Sequence, residues 1–154
     1  MKERMKIVSK YGSNQKLDVT ELEQLYSDGA GYDILRYIGL PELFGEEKDT
    51  LLYFLGRNLA RKFEFGSLED LSLFFEKMGL GTLDLVKDKK NVKTFYLLSD
   101  TIVAKLKSNM ETDFRLEAGI IAEALQQLED VDCECLESVH RRLKQVEFTV
   151  YIQD

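Results

Sequence analysis

A single glutamate, Glu117, stands in the middle of an apolar helix face. The segment 114–128 reads FRLEAGIIAEALQQL, and at about 3.6 residues per turn its apolar side chains share one broad face: Leu116, Ile120, Ile121, Ala124, Leu125 and Leu128. A lone buried carboxylate costs several kcal/mol, so Glu117 needs a cation, a hydrogen-bond donor, water or a proton. It is therefore either half of a structural ion pair or a polar anchor for a ligand head group, and in the second case burial would raise its pKa.

Four other residues are candidates for the same site. Glu123 lies at the edge of the apolar face, where we expect it to be half solvated, and Gly119 permits close contact with another element. Arg57 and Arg61 lie one helical turn apart in LGRNLARKF, on the polar side of their helix. We expect them to be solvated. The alternatives are an anion site or, for Arg57, an ion pair with Glu117 across the core.

The chain carries no motif of a known enzyme or metal centre. Cys133 and Cys135 form a C-x-C pair, whereas zinc sites use four ligands with spacings such as C-x2-C. The only histidine, His140, is expected in the loop between the last two strands. Gly79-x-Gly81 follows a helix and precedes a strand, the reverse of a phosphate-binding loop. We therefore expect no enzyme and no metal site, and the sequence identifies no cofactor.

Composition narrows the class of protein. The chain has 154 residues, of which 44% are hydrophobic, and its net charge of −7 disfavours nucleic-acid binding. The N-terminus MKERMKIVSKYG lacks the apolar region of a secretory signal, and no apolar run approaches the roughly 20 residues of a membrane span. Two closely spaced cysteines are read as free thiols of a reducing compartment, so we expect a cytoplasmic protein.

The first half of the chain has helical periodicity. Residues 1–18 are weakly patterned and are predicted to be a variable or mobile segment before a single domain spanning 19–154. TELE at 20–23 resembles a capping box for a short helix, and a second helix is predicted to stop before Pro41. That second helix carries Ile34, Leu35 and Ile38.

A long helix is predicted from about residue 46 to 63, and SLED at 67–70 begins another helix that ends at Gly79. Gly56 and Ala60 would allow another backbone to approach the long helix closely. The predicted buried stripe of this helix consists of Leu51, Leu52, Leu55, Leu59 and Phe63.

After Gly79 the hydrophobic period changes from helical spacing to alternation. Alternating residues around the polar turn 87–91 predict a β-hairpin, and a second hairpin is predicted from Val131 to Ile152. A short helix and the Glu117 helix lie between the two hairpins. This order predicts an α+β fold, a twisted antiparallel sheet of about four strands packed against several helices.

Several segments also resemble a known family. PELFGEE, YFLGRNLARKF, FFEKMGLGTLDLVKDKK, FRLEAGIIAEALQ and VEFTVY, in this order over roughly residues 30–152, are similar to the YslB family of uncharacterised bacterial proteins. The family pattern carries a tryptophan where this chain has Tyr53 and Phe54. The resemblance implies the fold shared by TRAPP subunits, 4-vinyl reductase domains and haem NO sensors. Members of that superfamily bury an acyl chain, a tetrapyrrole-type ligand or haem and often dimerise, but fold does not carry function with it.

Three functional hypotheses follow. The first is a non-enzymatic domain that binds a small hydrophobic ligand, or a protein partner, at an apolar cavity between helices and sheet. The second is a homodimeric structural or adaptor protein with a filled core. The third is an enzyme that uses Glu117 as an acid or base.

Overall fold

The computed structural model describes residues 16, 18–20, 29–107 and 111–153. Six α-helices lie in these ranges: α1 (Gly29–Ile34), α2 (Leu40–Phe44), α3 (Lys48–Ala60), α4 (Leu68–Lys77), α5 (Asp100–Lys107) and α6 (Arg115–Glu129). A π-helical turn, Leu35–Gly39, joins α1 to α2, and a 3-10 turn, Gly45–Glu47, joins α2 to α3. The strands are β1 (Thr82–Asp88), β2 (Val92–Leu98), β3 (Cys133–His140) and β4 (Gln145–Ile152).

The strands form one antiparallel sheet in the order β1-β2-β4-β3. Both predicted hairpins are present, because β1 pairs with β2 and β3 pairs with β4. Alternate residues of the central strand β4 are buried, as alternation predicts for a sheet with helices on one face. The predicted α+β class is therefore confirmed.

The helices cover one face of this sheet. Ser67 caps α4 by accepting a hydrogen bond from the Asp70 amide, and Gly79 ends the helix with a positive φ of 74°, both as predicted. Four phenylalanine side chains are buried in the core: Phe74, Phe75, Phe95 and Phe148. Val19 is also buried in this core.

Two glycines set the contact between α3 and α6. A Cβ atom on Gly56 would lie 2.1 Å from the Leu116 carbonyl oxygen, and one on Gly119 would lie 2.1 Å from the Tyr53 carbonyl oxygen. No side chain fits at either position, so the two backbones meet directly. The close approach predicted at Gly56 is confirmed, and Gly119 is its counterpart on α6.

One helix and one strand have boundaries that differ from the predictions. The helical path does not stop before Pro41 but continues to Phe44, because the π turn precedes α2 and Pro41 falls in its first turn, where no amide donor is required. The second hairpin is predicted to begin at Val131, but β3 begins at Cys133. His140, which is predicted to lie in the loop, is the last residue of β3. Two predictions fall mainly outside the described residues: the variable or mobile segment 1–18, and the helix predicted to begin at TELE, which is described only as far as Thr20.

The buried stripe predicted for the long helix is wrong in part. Leu52 and Phe63 are buried, but Leu51 and Leu59 are 40% and 37% exposed. The buried face of α3 instead consists of Leu52, Tyr53, Gly56, Arg57 and Ala60. The helix is rotated so that glycine and arginine, rather than leucine, face α6.

Candidate functional site

The first buried polar cluster centres on Arg36, in the π turn. Its Nη2 atom lies 2.7 Å from Asp113 Oδ1 and 3.1 Å from Glu117 Oε1, and Nη1 donates to Asp113 Oδ2 at 3.2 Å. The Arg36 and Glu117 side chains are 1% and 2% exposed, whereas Asp113 is 25% exposed. The cluster ties the π turn to the start of α6. π turns often occur at functional sites, so this position is notable.

One guanidinium in this cluster serves two carboxylates. Burial opposes ionisation of Asp113, but hydrogen bonding and attraction by Arg36 lower the pKa of that carboxyl below its ordinary value. Burial raises the pKa of Glu117, and Arg36 offsets this only in part. Glu117 is therefore the carboxylate that gains a proton more readily.

Tyrosines enclose the Arg36 cluster. The Arg36 guanidinium lies 4.9 Å from the centre of the Tyr37 ring, and Lys105 Nζ lies at the same distance from that ring. The Tyr32 hydroxyl and Arg36 Nε are buried and form no hydrogen bond in the part of the chain that the structure describes. Burial raises the pKa values of both tyrosines, so they stay neutral at physiological pH.

The second cluster centres on Arg57, which is only 6% exposed. Its Nε atom donates to Glu123 at 3.3 Å and its Nη2 atom to Gln126 at 2.5 Å. Its Nη1 atom donates to the Cys133 carbonyl at 2.9 Å and to the Tyr53 hydroxyl at 3.2 Å. A single side chain of α3 thus binds both α6 and β3.

The Arg57 cluster caps the outer edge of β3. Asp132 accepts a backbone hydrogen bond from Gln153, so even-numbered residues of β3 bond to β4 and odd-numbered residues point their backbone groups outward. The outward Cys133 carbonyl is taken by Arg57, and the outward Cys135 amide donates to the Tyr53 hydroxyl at 3.2 Å. Covering an edge strand in this way opposes pairing with another chain.

The Tyr53 hydroxyl completes this arrangement by donating to Glu134 at 2.5 Å. Burial and the Glu134 carboxylate raise the pKa of Tyr53 to about 12, so it remains a donor. Arg115 lies over the Tyr53 ring, 4.6 Å from its centre, and binds Glu137 at 2.7 Å. These contacts form a network of side chains that holds α3, α6 and β3 together, and they do not activate any of its groups for a reaction.

The predicted site residues fall into different groups. Glu117 is buried as predicted, but its partner is Arg36 and not Arg57. The prediction that Arg57 is solvated is wrong, because the rotation of α3 turns it inward. Glu123 is 5% exposed rather than half solvated, since it accepts from both Arg57 and Arg61. Arg61 is exposed at 55% of its side chain, as predicted.

Sequence reasoning missed Arg36, the most deeply buried cation. Its signal is a lone charge in the apolar run ILRYIGL, which resembles an ordinary surface position of a helix. Cys133 and Cys135 are free and buried, and no group of metal-ligating side chains occurs within the described ranges. Burial raises the pKa of Cys133 to about 11 and that of Cys135 well above its ordinary value.

Comparison with known proteins identifies the family to which this chain belongs. The model of a family described as a protein of unknown function, DUF2507, matches residues 29–151. The chain belongs to this family. It is 36% identical over 138 residues to the uncharacterized protein YslB of Bacillus subtilis (strain 168), covering 90% of this chain and 93% of that protein. The suspected resemblance is therefore confirmed.

More distant comparisons concern the fold. A crystal structure of a vinyl-4-reductase family protein from Methanocaldococcus jannaschii superposes with a TM-score of 0.68, at 18% identity and 88% coverage of each chain. An uncharacterized protein of the same organism is 28% identical over 57 residues, or 37% of this chain and 35% of that protein. The structural likeness confirms the fold expected for this DUF2507 member and carries no activity with it. Among the described residues, no helix is long and apolar enough to cross a membrane.

Proposed function

We propose that this DUF2507 protein is a non-enzymatic homodimer that assembles through the outer face of α3. The observation that supports the proposal is the reversed polarity of this helix. Its buried face contains Arg57, whereas its outer face carries Leu51, Phe54 and Leu59, which are 40%, 53% and 37% exposed. At 100° per residue these three side chains form one stripe on the side of the helix opposite its buried face, and half-buried Leu55 between them also packs against the core.

An exposed apolar stripe of this kind is more stable when a protein partner covers it than when water does. Phe54 and three leucines in one contiguous row are more than the scattered apolar residues of an ordinary surface. Polar side chains would be expected on the solvent side of a helix whose other face is packed against α6. A partner that covers the stripe would account for the reversed polarity.

The charges at the two ends of α3 favour a second copy as that partner. Exposed Glu46, Glu47 and Asp49 lie at its N-terminal end, and exposed Arg61 and Lys62 follow its C-terminal end. A two-fold axis near Leu55 would set the helices antiparallel, with each acidic end against the basic end of its partner. A parallel arrangement would place like charges together.

The preceding helical segment supplies further apolar surface. Ile34, Leu35, Ile38 and Leu43 are 57%, 66%, 50% and 76% exposed, whereas Arg36 between them is buried. This segment shows the same reversed polarity as α3 and connects to it through a three-residue turn. A specific dimer buries roughly 800 Å² per partner, more than one helix stripe provides, so we assign this segment to the rim of the interface.

Ligand binding at Glu117 is the weaker hypothesis and stays a prediction. Arg36 already neutralises part of the buried charge, so no ligand is needed to explain that carboxylate. Glu117 lines none of three surface grooves of the described chain, which lie beside Val19, between α4 and β1, and at the β3–β4 turn. Native mass spectrometry tests it directly, since a bound ligand adds a mass that is lost on denaturation.

The dimer is tested by light scattering during size exclusion. We expect the wild type to elute as a dimer and Phe54→Glu as a folded monomer, because Phe54 is 53% exposed and the substitution places two like charges beside the two-fold axis. Leu136→Glu is the matched control: this leucine is 57% exposed on the sheet and should leave the dimer intact. A wild type that is monomeric at every concentration, or a Phe54→Glu variant that remains dimeric, would overturn the proposal.

A further inference from the structure

The turn between β3 and β4 combines positive charge with an exposed leucine. Arg141, Arg142 and Leu143 are exposed, with Leu143 at 68%, and Lys144 ends the turn with φ at 53°. The three cations have no ion-pair partner among the residues that the structure describes. The nearest acid along β4, Glu147, is already bound to His140 at 2.6 Å.

This turn is a local exception to the charge of the chain. The whole chain carries −7, and without the three cations of the turn it would carry −10. The turn lies at the end of the sheet where β1 begins and β2 ends. Val92, which follows the other hairpin turn, pairs with Tyr151 near the end of β4, so the two hairpin turns project from opposite ends.

We propose that the β3–β4 turn contacts anionic phospholipid surfaces, with Arg141, Arg142 and Lys144 at the head groups and Leu143 in the acyl boundary. Cations within a Debye length of a bilayer are attracted to its negative surface. Salt screens the repulsion between that surface and the acidic residues that lie farther away on the chain. An exposed leucine gains by leaving water, which a lipid interface permits. The phosphates of a nucleic acid would bind the three cations but would provide no apolar environment for Leu143. The exposed leucine therefore favours a lipid surface.

The other hairpin supplies a matched control. Its turn, 89–91, carries exposed Lys89 and Lys90 but no large apolar side chain. If charge alone drove binding, the two turns would contribute alike. If the turn of Leu143 is the contact, only substitutions there will reduce binding.

Sedimentation of the full chain with phosphatidylcholine vesicles, with and without phosphatidylserine, tests the proposal. We expect binding only to the phosphatidylserine vesicles, with weaker binding at high salt. The double substitution Arg141→Ser/Arg142→Ser should reduce partitioning about 25-fold, at about 5-fold for each cation. Leu143→Ser should reduce it about 5-fold without changing the salt dependence.

Three results would overturn the inference. The wild type could fail to bind phosphatidylserine vesicles, or Lys89→Ser/Lys90→Ser could reduce binding as much as the arginine pair, which would indicate diffuse charge. Duplex DNA could also bind with the same affinity to the wild type and to Leu143→Ser, which would indicate a general polyanion site. All substitutions are at exposed positions, and circular dichroism of each variant verifies that loss of binding is not loss of folding.

Discussion

Replacing Arg36 with methionine tests whether the buried ion pair governs stability. Methionine fills a similar volume and carries no charge, so the substitution removes the cation and leaves Glu117 and Asp113 in place. Asp113 is 25% exposed and can regain water, but Glu117 is 2% exposed and cannot. Glu117 must then take up a proton in the folded state.

The cost of that proton sets the size of the effect. A carboxyl with an ordinary pKa of 4.5 takes up a proton at pH 7 for about 3.4 kcal/mol, and at pH 5 for only about 0.7 kcal/mol. Loss of the Arg36 hydrogen bonds adds about 1 kcal/mol. Since burial raises the pKa of Glu117 even beside Arg36, these costs are upper limits, and we expect the free energy of unfolding to fall by at most about 4 kcal/mol at pH 7 and by at most about 2 kcal/mol at pH 5.

The sign of the pH dependence follows from linkage. Burial raises the pKa of Glu117 in the folded state, so the folded chain binds more protons than the unfolded chain above pH 4.5, and stability falls as pH rises from there through the folded pKa. Asp113 acts oppositely, because Arg36 lowers its pKa and its contribution is lost only as pH falls below 3.8. In the variant Asp113 loses Arg36 but keeps its contact with water and the hydrogen bond from the Arg115 amide, so we assign the slope between pH 5 and pH 7 to Glu117.

Urea denaturation at the two pH values measures both quantities. Adding Glu117→Leu to Arg36→Met should restore most of the lost stability and abolish the slope between pH 5 and pH 7, since no buried charge remains. Asp113→Asn serves as the control and should cost about 1 kcal/mol. The reasoning fails if Arg36→Met costs the same at pH 5 as at pH 7, or if the double variant is no more stable than the single one.

Two further substitutions test the contacts of α3. Gly119→Ala should destabilise the fold by about 3 kcal/mol or more, because its Cβ would meet the Tyr53 carbonyl at 2.1 Å, whereas Gly31→Ala in α1 has open space and should be neutral or stabilising by up to about 1 kcal/mol. Thermal denaturation of both variants compares them, and equal effects would contradict the close contact. Arg57→Met should lower the free energy of unfolding by only about 3 kcal/mol, because Glu123 keeps its ion pair with Arg61. It should also speed hydrogen exchange of the Cys135 amide, because Arg57 holds the Tyr53 hydroxyl to which that amide donates. Unchanged exchange would mean that Arg57 does not hold the edge of β3.

Local patterns predicted most of the elements. Alternation over β2 and β4 and the 3.6-residue period of α6 lie within single segments, so the sequence alone was sufficient for them. Ser67 and Gly79 similarly act on their own helix. The buried state of Glu117 was predicted for the same reason, because its neighbours on α6 are apolar.

The partners of the buried charges were not predictable in this way. Arg36 is separated from Glu117 by 81 residues and Arg57 from Glu123 by 66, and a single sequence carries no signal of such distant pairing. Arginine in an amphipathic helix is ordinarily solvated, which is why Arg57 is predicted to be solvated and Arg36 is not predicted as a site residue. The exception arises because each cation satisfies a buried carboxylate of α6.

The rotation of α3 follows from a conflict between hydropathy and backbone geometry. Hydropathy favours burying Leu51, Leu55 and Leu59, but the contact with α6 leaves no room for a Cβ atom at the position of Gly56. A leucine in that position would separate the two helices and break the reach of Arg57 to Glu123. Glycine must therefore face α6, and the leucine stripe must face outward whatever its hydropathy. An apolar stripe that geometry has forced to the surface remains costly in water, and the second copy that we propose would remove this cost by covering it.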